Sequence, residues 1–268
     1  MSQNDTRPAV PSYVPGHGLL TDKVVVVTAA AGAGIGAAVV KRCLEEGARG
    51  VVISDTHERR LGEAAETLGA EFGHETIVQV VCNVTVGEDV DRLLDAADDA
   101  FGGFDIMINN AGLGGTASIL DMTDDQWDLV LNVTLTGTFK CVRAASQRLV
   151  KQGRGGVIVN NASVLGWRAQ KDQAHYAAAK AGVMALTRCA AMDVAEHGIR
   201  INAVSPSLAM HPFLAKVTSD EALAELTSRE AFGRAAEPWE IANVMVFLAS
   251  DYSSYMTGEV MSVSSQHA

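Results

Sequence analysis

Ser163, Tyr176 and Lys180 are residues whose types and spacing could do chemistry together. Tyr176 and Lys180 stand four apart in Tyr-Ala-Ala-Ala-Lys, so on a helix they share one face. Ser163 closes the run Asn160-Asn161-Ala162-Ser163, thirteen residues before the tyrosine. A hydroxyl, a phenol and an ammonium brought together can share one proton and pass it to or from a substrate oxygen. A free tyrosine titrates near 10, so poising Tyr176 near neutrality needs roughly three units, about 4 kcal/mol, of phenolate stabilisation. The ammonium of Lys180 is placed to supply part of that.

The elements that must position these groups follow from hydrophobic patterning. Short apolar runs at Val24–Val27, Val51–Ile53, Ile77–Val81, Ile106–Ile108, Val157–Val159, Ile201–Val204 and Val260–Val263 alternate with segments of helical periodicity. Nearly every run is apolar throughout, as strands covered on both faces require. The expected fold class is therefore α/β: a single doubly wound parallel sheet of about seven strands with helices on both faces. Helical spacing covers 37–46, 58–68, 89–101, 124–150, 175–197 and 238–248, with Thr123 as an N-cap before Asp124 and Asp125. Residues 1–20 read as an extended N-terminal arm, 21–268 as one domain, and about 207–234 as a helical excursion that forms a lid.

At the end of the first strand stands Thr28-Ala29-Ala30-Ala31-Gly32-Ala33-Gly34-Ile35-Gly36, and a helix follows. A glycine-rich turn there lets backbone N–H groups and the helix N-terminus face a pyrophosphate. Asp55 ends the second strand, where a carboxylate can bond both ribose hydroxyls of an adenosine and repel a 2′-phosphate. This favours NAD over NADP, although His57, Arg59 and Arg60 nearby could offset the repulsion. Asn83 and Val84, after the third strand, could meet the adenine edge, or Asn83 could simply form a turn. Asn110, Ala111 and Gly112, after the fourth strand, would line the floor beneath the two riboses.

In this order and spacing, the set resembles the short-chain dehydrogenase/reductase family over roughly residues 20–265. The resemblance implies a Rossmann-type sheet, a nicotinamide cofactor and a catalytic tetrad of Asn132, Ser163, Tyr176 and Lys180. Asn132, in Leu131-Asn132-Val133, would hold a water that resupplies the proton, and Lys180 would also bond the nicotinamide ribose. The family is commonly tetrameric through its fourth and fifth helices, which implies a homotetramer. The Thr-Ala-Ala-Ala-Gly turn and the tail Tyr252–Gln266 are similar to those of actinobacterial reductases of sterol-ring breakdown that act on a hexahydroindenone-carboxyl-CoA. A 3-oxoacyl thioester reductase and a dinucleotide binder without turnover are the alternatives.

The chain also departs from the family pattern. Thr28 stands one residue too far from Gly34-Ile35-Gly36, so the turn should be one residue longer, with Gly32 at its tight point. After the sixth strand, Pro206-Ser207-Leu208-Ala209-Met210-His211 puts His211 where the family has Thr; Pro206, Ala209 and His211 would border the cofactor, or His211 would sit on the lid. Ser264-Ser265-Gln266 replaces the family's Asp-Gly-Gly near the C-terminus.

A net charge of −11 and a pI near 5.0 argue against a nucleic-acid or anionic-membrane surface and for a small soluble ligand, which the family resemblance makes an alcohol or ketone. Leu165, Trp167, Phe213, Leu214, Leu223 and Leu226 would suit an apolar or cyclic body, and Arg168, Lys171 and Lys216 could form a basic rim for an acyl-CoA. The four cysteines are scattered, with no Cys-x-x-Cys pair, so no metal site is expected; reduced thiols and the lack of a signal-like stretch point to the cytoplasm.

Overall fold

The computed structural model describes residues 9–210 and 220–266. Strands β1 (Val24–Val27), β2 (Gly50–Asp55), β3 (Ile77–Val81), β4 (Ile106–Asn109), β5 (Gly156–Asn161), β6 (Ile199–Pro206) and β7 (Val260–Val263) form one parallel sheet in the order β3-β2-β1-β4-β5-β6-β7. The helices are α1 (Ile35–Glu45), α2 (Glu58–Phe72), α3 (Gly87–Phe101), α4 (Asp124–Leu131), α5 (Gly137–Gln152), α6 (Ala174–Val194), α7 (Asp220–Ser228) and α8 (Pro238–Ala249). Because side chains alternate along a strand, β1 feeds two cores. Val25 and Val27 pack in the cluster that holds Val39 and Val40 of α1 and Ile241 and Met245 of α8. Val24 and Val26 join Leu93 and Leu94 of α3 and Leu149 of α5 on the other face. The doubly wound sheet expected from the apolar runs is what the chain forms.

The helical stretch expected over 124–150 is broken by a π-helical turn at Asn132–Thr136, closed by the Gly137 N–H donating to the Asn132 carbonyl. Thr123 and Gln126 form a reciprocal capping box at the start of α4, with bonds of 3.2 and 3.0 Å.

The arm over residues 9–20 is clasped to α1 and α8. The Arg42 guanidinium donates to the carbonyls of Val14 and Pro15 and lies 5.6 Å from the Tyr13 ring centre, and that ring meets Trp239 edge-on at 5.3 Å. Fully buried Glu46 accepts from the N–H groups of His17 (2.7 Å) and Leu19 (3.0 Å) and from Arg42 (2.6 Å). Burial raises the Glu46 carboxyl pKa, but the two N–H groups and the guanidinium outweigh it and hold it below the usual carboxylate range.

Candidate active site

The strand order reverses between β1 and β4, which opens a crevice at their C-terminal ends. Thr28 and Asn110 build its wall. The buried Thr28 Oγ1 accepts from the N–H groups of Asn110 and Ala111, both at 3.0 Å. Asn110 Nδ2 donates back to the carbonyls of Thr28 (3.3 Å) and Ala29 (3.1 Å). These two residues thus hold the turn through their side chains. Gly32 sits at φ +106°, the left-handed region that glycine favours, and carries the tight point of the lengthened turn. A Cβ on Gly36 would stand 2.2 Å from the Ala29 carbonyl oxygen, so only glycine lets α1 start this close to the strand end.

A phosphate-bearing nucleotide fits this turn. A Cβ on Gly32 or Gly34 would meet nothing within 4 Å, so bare backbone borders open space there, and no side chain caps α1 at Gly34. Its first N–H groups and the positive end of its dipole are left to an anion. Asp55 lies at the end of β2; Oδ1 accepts from the His57 N–H at 3.0 Å, and Oδ2 has no partner among the described residues. Arg59 pairs with Glu63 at 2.6 Å, turned to its own helix.

Two residues expected on the adenine side follow β3. Asn83 Oδ1 accepts from the Thr85 N–H (3.0 Å) and hydroxyl (2.9 Å), so its side-chain oxygen forms the turn that follows β3. Val84 is buried in the core against Gly137, whose Cβ would come within 2.6 Å of it, so its side chain packs the interior.

At the reacting end, β5 delivers Ser163 and α6 delivers Tyr176 and Lys180. Ser163 Oγ accepts from the Leu165 N–H at 3.2 Å, which fixes the hydroxyl at the head of the loop. Lys180 is buried, donates to the Asn161 carbonyl at 2.6 Å, and its Nζ stands 5.5 Å from the Tyr176 ring centre. Burial pushes the Tyr176 phenol up to about 12, opposed by the Ser163 hydroxyl, and pushes the Lys180 ammonium down to about 8. In the protein alone burial therefore opposes the phenolate, and the stabilisation expected from Lys180 and a positive nicotinamide ring would have to overcome it.

Asn132 does not join this group. It lies exposed at the start of the π turn, and its side chain makes no hydrogen bond among the described residues. The inward position belongs to Thr134, which is fully buried and whose Oγ1 accepts from the Leu113 N–H and donates to the Leu113 carbonyl, both at 2.9 Å. A Cβ on Gly112 would lie 3.4 Å from Lys180 Nζ and 3.7 Å from Thr134 Oγ1, so Gly112 lets the chain pass between them. The wider i→i+5 ring rotates the helix, and that rotation cannot be read from 3.6-residue spacing.

Two further residues had no role in the sequence reading. Asn161 carries the carbonyl that receives Lys180, donates from Nδ2 to Asn110 Oδ1 at 2.9 Å, and has a buried Oδ1 without a partner among the described residues. Asn160 links Asn109 (2.8 Å) to Thr187 (2.9 Å), joining β4, β5 and α6 beneath the site. Two amides ending an apolar strand were the available signal, since buried amides are kept only where they find partners.

Ser163, Tyr176, Pro206 and Ala209 line one cavity of about 650 Å³ together with Ile35, the first residue of α1. Leu165, Leu226 and Arg168 line it too, whereas Trp167 and Lys171 are exposed and do not. His211, Phe213, Leu214 and Lys216 lie outside the described residues.

The family model described as "Enoyl-(Acyl carrier protein) reductase" matches residues 29–265. The chain is 62% identical over 257 residues, 96% of its length and 97% of the relative's, to the Mycobacterium tuberculosis "(5R,7aS)-5-hydroxy-7a-methyl-1-oxo-2,3,5,6,7,7a-hexahydro-1H-indene-carboxyl-CoA reductase". It is 39% identical to the cis-4-hydroxycyclohexanecarboxylate dehydrogenase of Sinomonas cyclohexanicum, over 90% of this chain and 95% of that one. A solved short chain dehydrogenase from Mycobacterium smegmatis superposes with a TM-score of 0.85 at 57% identity, covering 97% of this chain and 99% of that one. With the strand order, the glycine turn and the Tyr–Lys helix already in place, these matches make the chain a member of the short-chain dehydrogenase/reductase family, an alcohol/ketone oxidoreductase that uses a nicotinamide cofactor.

Proposed function

We propose that the chain interconverts a ring ketone and its secondary alcohol on a carboxyl-CoA-bearing substrate, with NAD as cofactor and reduction as the working direction. The observation that carries this is the convergence of Ser163 and Tyr176 on one cavity with Lys180 buried behind them. The relatives support the substrate: two act, by name, on a ring alcohol or ketone that carries a carboxyl group, one of them as its CoA thioester. The Asp55 carboxylate, with Arg59 engaged elsewhere, supports NAD over NADP.

A bound nicotinamide supplies the hydride for reduction or accepts it in oxidation. Tyr176 holds its proton in the resting site and gives it to the substrate carbonyl oxygen as the carbon accepts hydride; Ser163 holds that same oxygen. The positive Lys180 keeps the resulting phenolate from standing alone in a buried site. Gly32, Gly34 and the start of α1 hold the pyrophosphate, and Pro206 and Ala209 border the nicotinamide side. Thr134 takes the place expected for Asn132 and, by bonding Leu113, fixes the loop after β4 beside Lys180 as a positioning residue. The chain acts as one catalytic domain behind the N-terminal arm, with Ser207, Leu208, Leu226 and Arg229 of the excursion after β6 on the cavity wall. We place it in the cytoplasm as a homotetramer, a state supported by the exposed apolar side chains Leu129 and Phe139 on α4 and α5. Among the described residues no helix is long and apolar enough to cross a membrane.

The test follows nicotinamide absorbance with NADH and NADPH against ring ketones and their CoA-linked carboxyl derivatives. NADH-dependent turnover that falls by about 100-fold or more in Tyr176→Phe is expected. Turnover of linear 3-oxoacyl thioesters in preference to ring ketones would shift the assignment to a 3-oxoacyl reductase. Absence of any turnover, with dinucleotide binding intact, would overturn the enzymatic reading.

A further inference from the structure

In a chain of net charge −11, the residues that line the 650 Å³ cavity include two arginines, Arg168 and Arg229, and no carboxylate among those described. Arg229 is already paired, to Glu225 at 2.6 Å. Arg168 has no carboxylate partner among the described residues; its Nη1 donates to the side-chain oxygen of Gln266 at 2.8 Å. The amide of Gln266 is itself held. Its Nε2 donates to Glu230 Oε1 at 3.0 Å and its backbone N–H to Ser264 Oγ at 3.0 Å. A flipped amide would turn its NH₂ onto the guanidinium and its oxygen onto the carboxylate, so the two charged neighbours fix its orientation.

Glu230, 4% exposed, is the hub of this arrangement. It accepts from Ser265 Oγ (2.7 Å), Ser207 Oγ (3.1 Å) and the Leu208 N–H (3.2 Å), and the Ala231 N–H donates to the Ser265 carbonyl at 2.7 Å. The Ser264-Ser265-Gln266 tail is thereby bound to the segment leaving β6 and reaches into the cavity wall. One Glu230-bound amide thus holds an arginine in the cavity that also contains Ser163 and Tyr176. The remaining N–H donors of Arg168 form a planar fork suited to the oxygens of a carboxyl group.

We propose that Arg168, positioned by Gln266, binds the carboxyl-derived oxygen of the substrate while Ser163 and Tyr176 bind its ketone oxygen, so that the C-terminal tail sets specificity for a carboxyl-bearing ring. This rests on the ring-ketone reading above and adds the residue that recognises the second functional group. The oxygen belongs to a free ring carboxylate or to the carbonyl of its thioester, and the guanidinium serves either.

The test compares kcat/KM for a ring ketone with a carboxyl substituent, as free acid and as CoA thioester, against the same ring ketone without it. In Arg168→Gln the ratio of carboxylated to plain ketone is expected to fall about 10- to 100-fold, mainly through KM, as loss of a charge-assisted bond implies. Arg168→Lys should recover part of the ratio, and Gln266→Ala should lower it several-fold with an unchanged melting temperature. A preference for the acid that weakens with added salt assigns the bond to the carboxylate; a salt-independent preference for an N-acetylcysteamine thioester, which lacks the phosphates of CoA, assigns it to the carbonyl. If Arg168→Gln and Gln266→Ala lower turnover of the two ketones alike, or leave the ratio unchanged, the proposal is overturned. If the wild-type protein turns over no ring ketone, the ring-ketone reading itself fails instead.

Discussion

The Lys180 ammonium donates to the backbone carbonyl of Asn161 across 2.6 Å, tying the middle of α6 to the last residue of β5 inside a buried site. The contact orients the charge without neutralising it, because a carbonyl carries no net charge. Burial therefore shows in the lysine as a fall to about 8 from 10.5.

That shift has a sign. A folded-state value below the free one means stability is lowest below pH 8, rises between about 8 and 10.5, and is fully present above. Lys180→Met removes the buried charge, worth about 3 kcal/mol by the shift, and loses one hydrogen bond of about 1 kcal/mol. The variant is expected to be inactive yet about 1–2 kcal/mol more stable at pH 7, with the gain absent near pH 10.5. Urea denaturation at both pH values measures this; a variant less stable than wild type at pH 7 contradicts it.

Asp55 stands where it can meet an adenosine ribose, with one oxygen engaged by His57 and the other unpaired among the described residues. Asp55→Ser is expected to shift the ratio of kcat/KM for NADH over NADPH toward NADPH by about 10- to 100-fold, the size of one removed close repulsion. An unchanged ratio would assign cofactor choice to another residue.

Thr134 rather than Asn132 is the polar residue that the π turn brings behind Lys180. Thr134→Val keeps the shape and strands the Leu113 N–H and carbonyl, so a loss of about 1–3 kcal/mol of stability and a fall in kcat are expected. Asn132→Ala should leave kcat within a factor of about two, since the side chain is exposed. A large kcat loss in Asn132→Ala would restore that residue to the catalytic group.

The N-terminal arm is held by a charge pair within the protein. Glu46→Ala leaves Arg42 and the N–H groups of His17 and Leu19 without their acceptor, and should cost about 3–5 kcal/mol and release the arm to proteolysis. Since the Glu46 carboxyl sits below its free value, this stability is present above about pH 4.5 and is lost as pH falls through the folded value. Chemical denaturation across that range, with limited proteolysis of the arm, measures both effects.

Patterns repeated along the chain were legible in the sequence: the seven apolar runs, the glycine turn, Thr123 as a cap, and a serine, tyrosine and lysine in family spacing. Each depends on local periodicity or on the conformational freedom of one residue, which neighbours in sequence suffice to specify. Tertiary structure decided the rest. Whether Asn132 or Thr134 faces inward depends on the i→i+5 turn over Asn132–Thr136; whether Asn83 meets a ligand or its own backbone depends on competing partners within one turn. The Tyr176 and Lys180 shifts depend on burial by segments far apart in the chain, and burial has no residue code of its own. The link from Arg168 through Gln266 to Glu230 joins positions 98 and 36 residues apart, and only folding brings their donors and acceptors within 3 Å or so of one another.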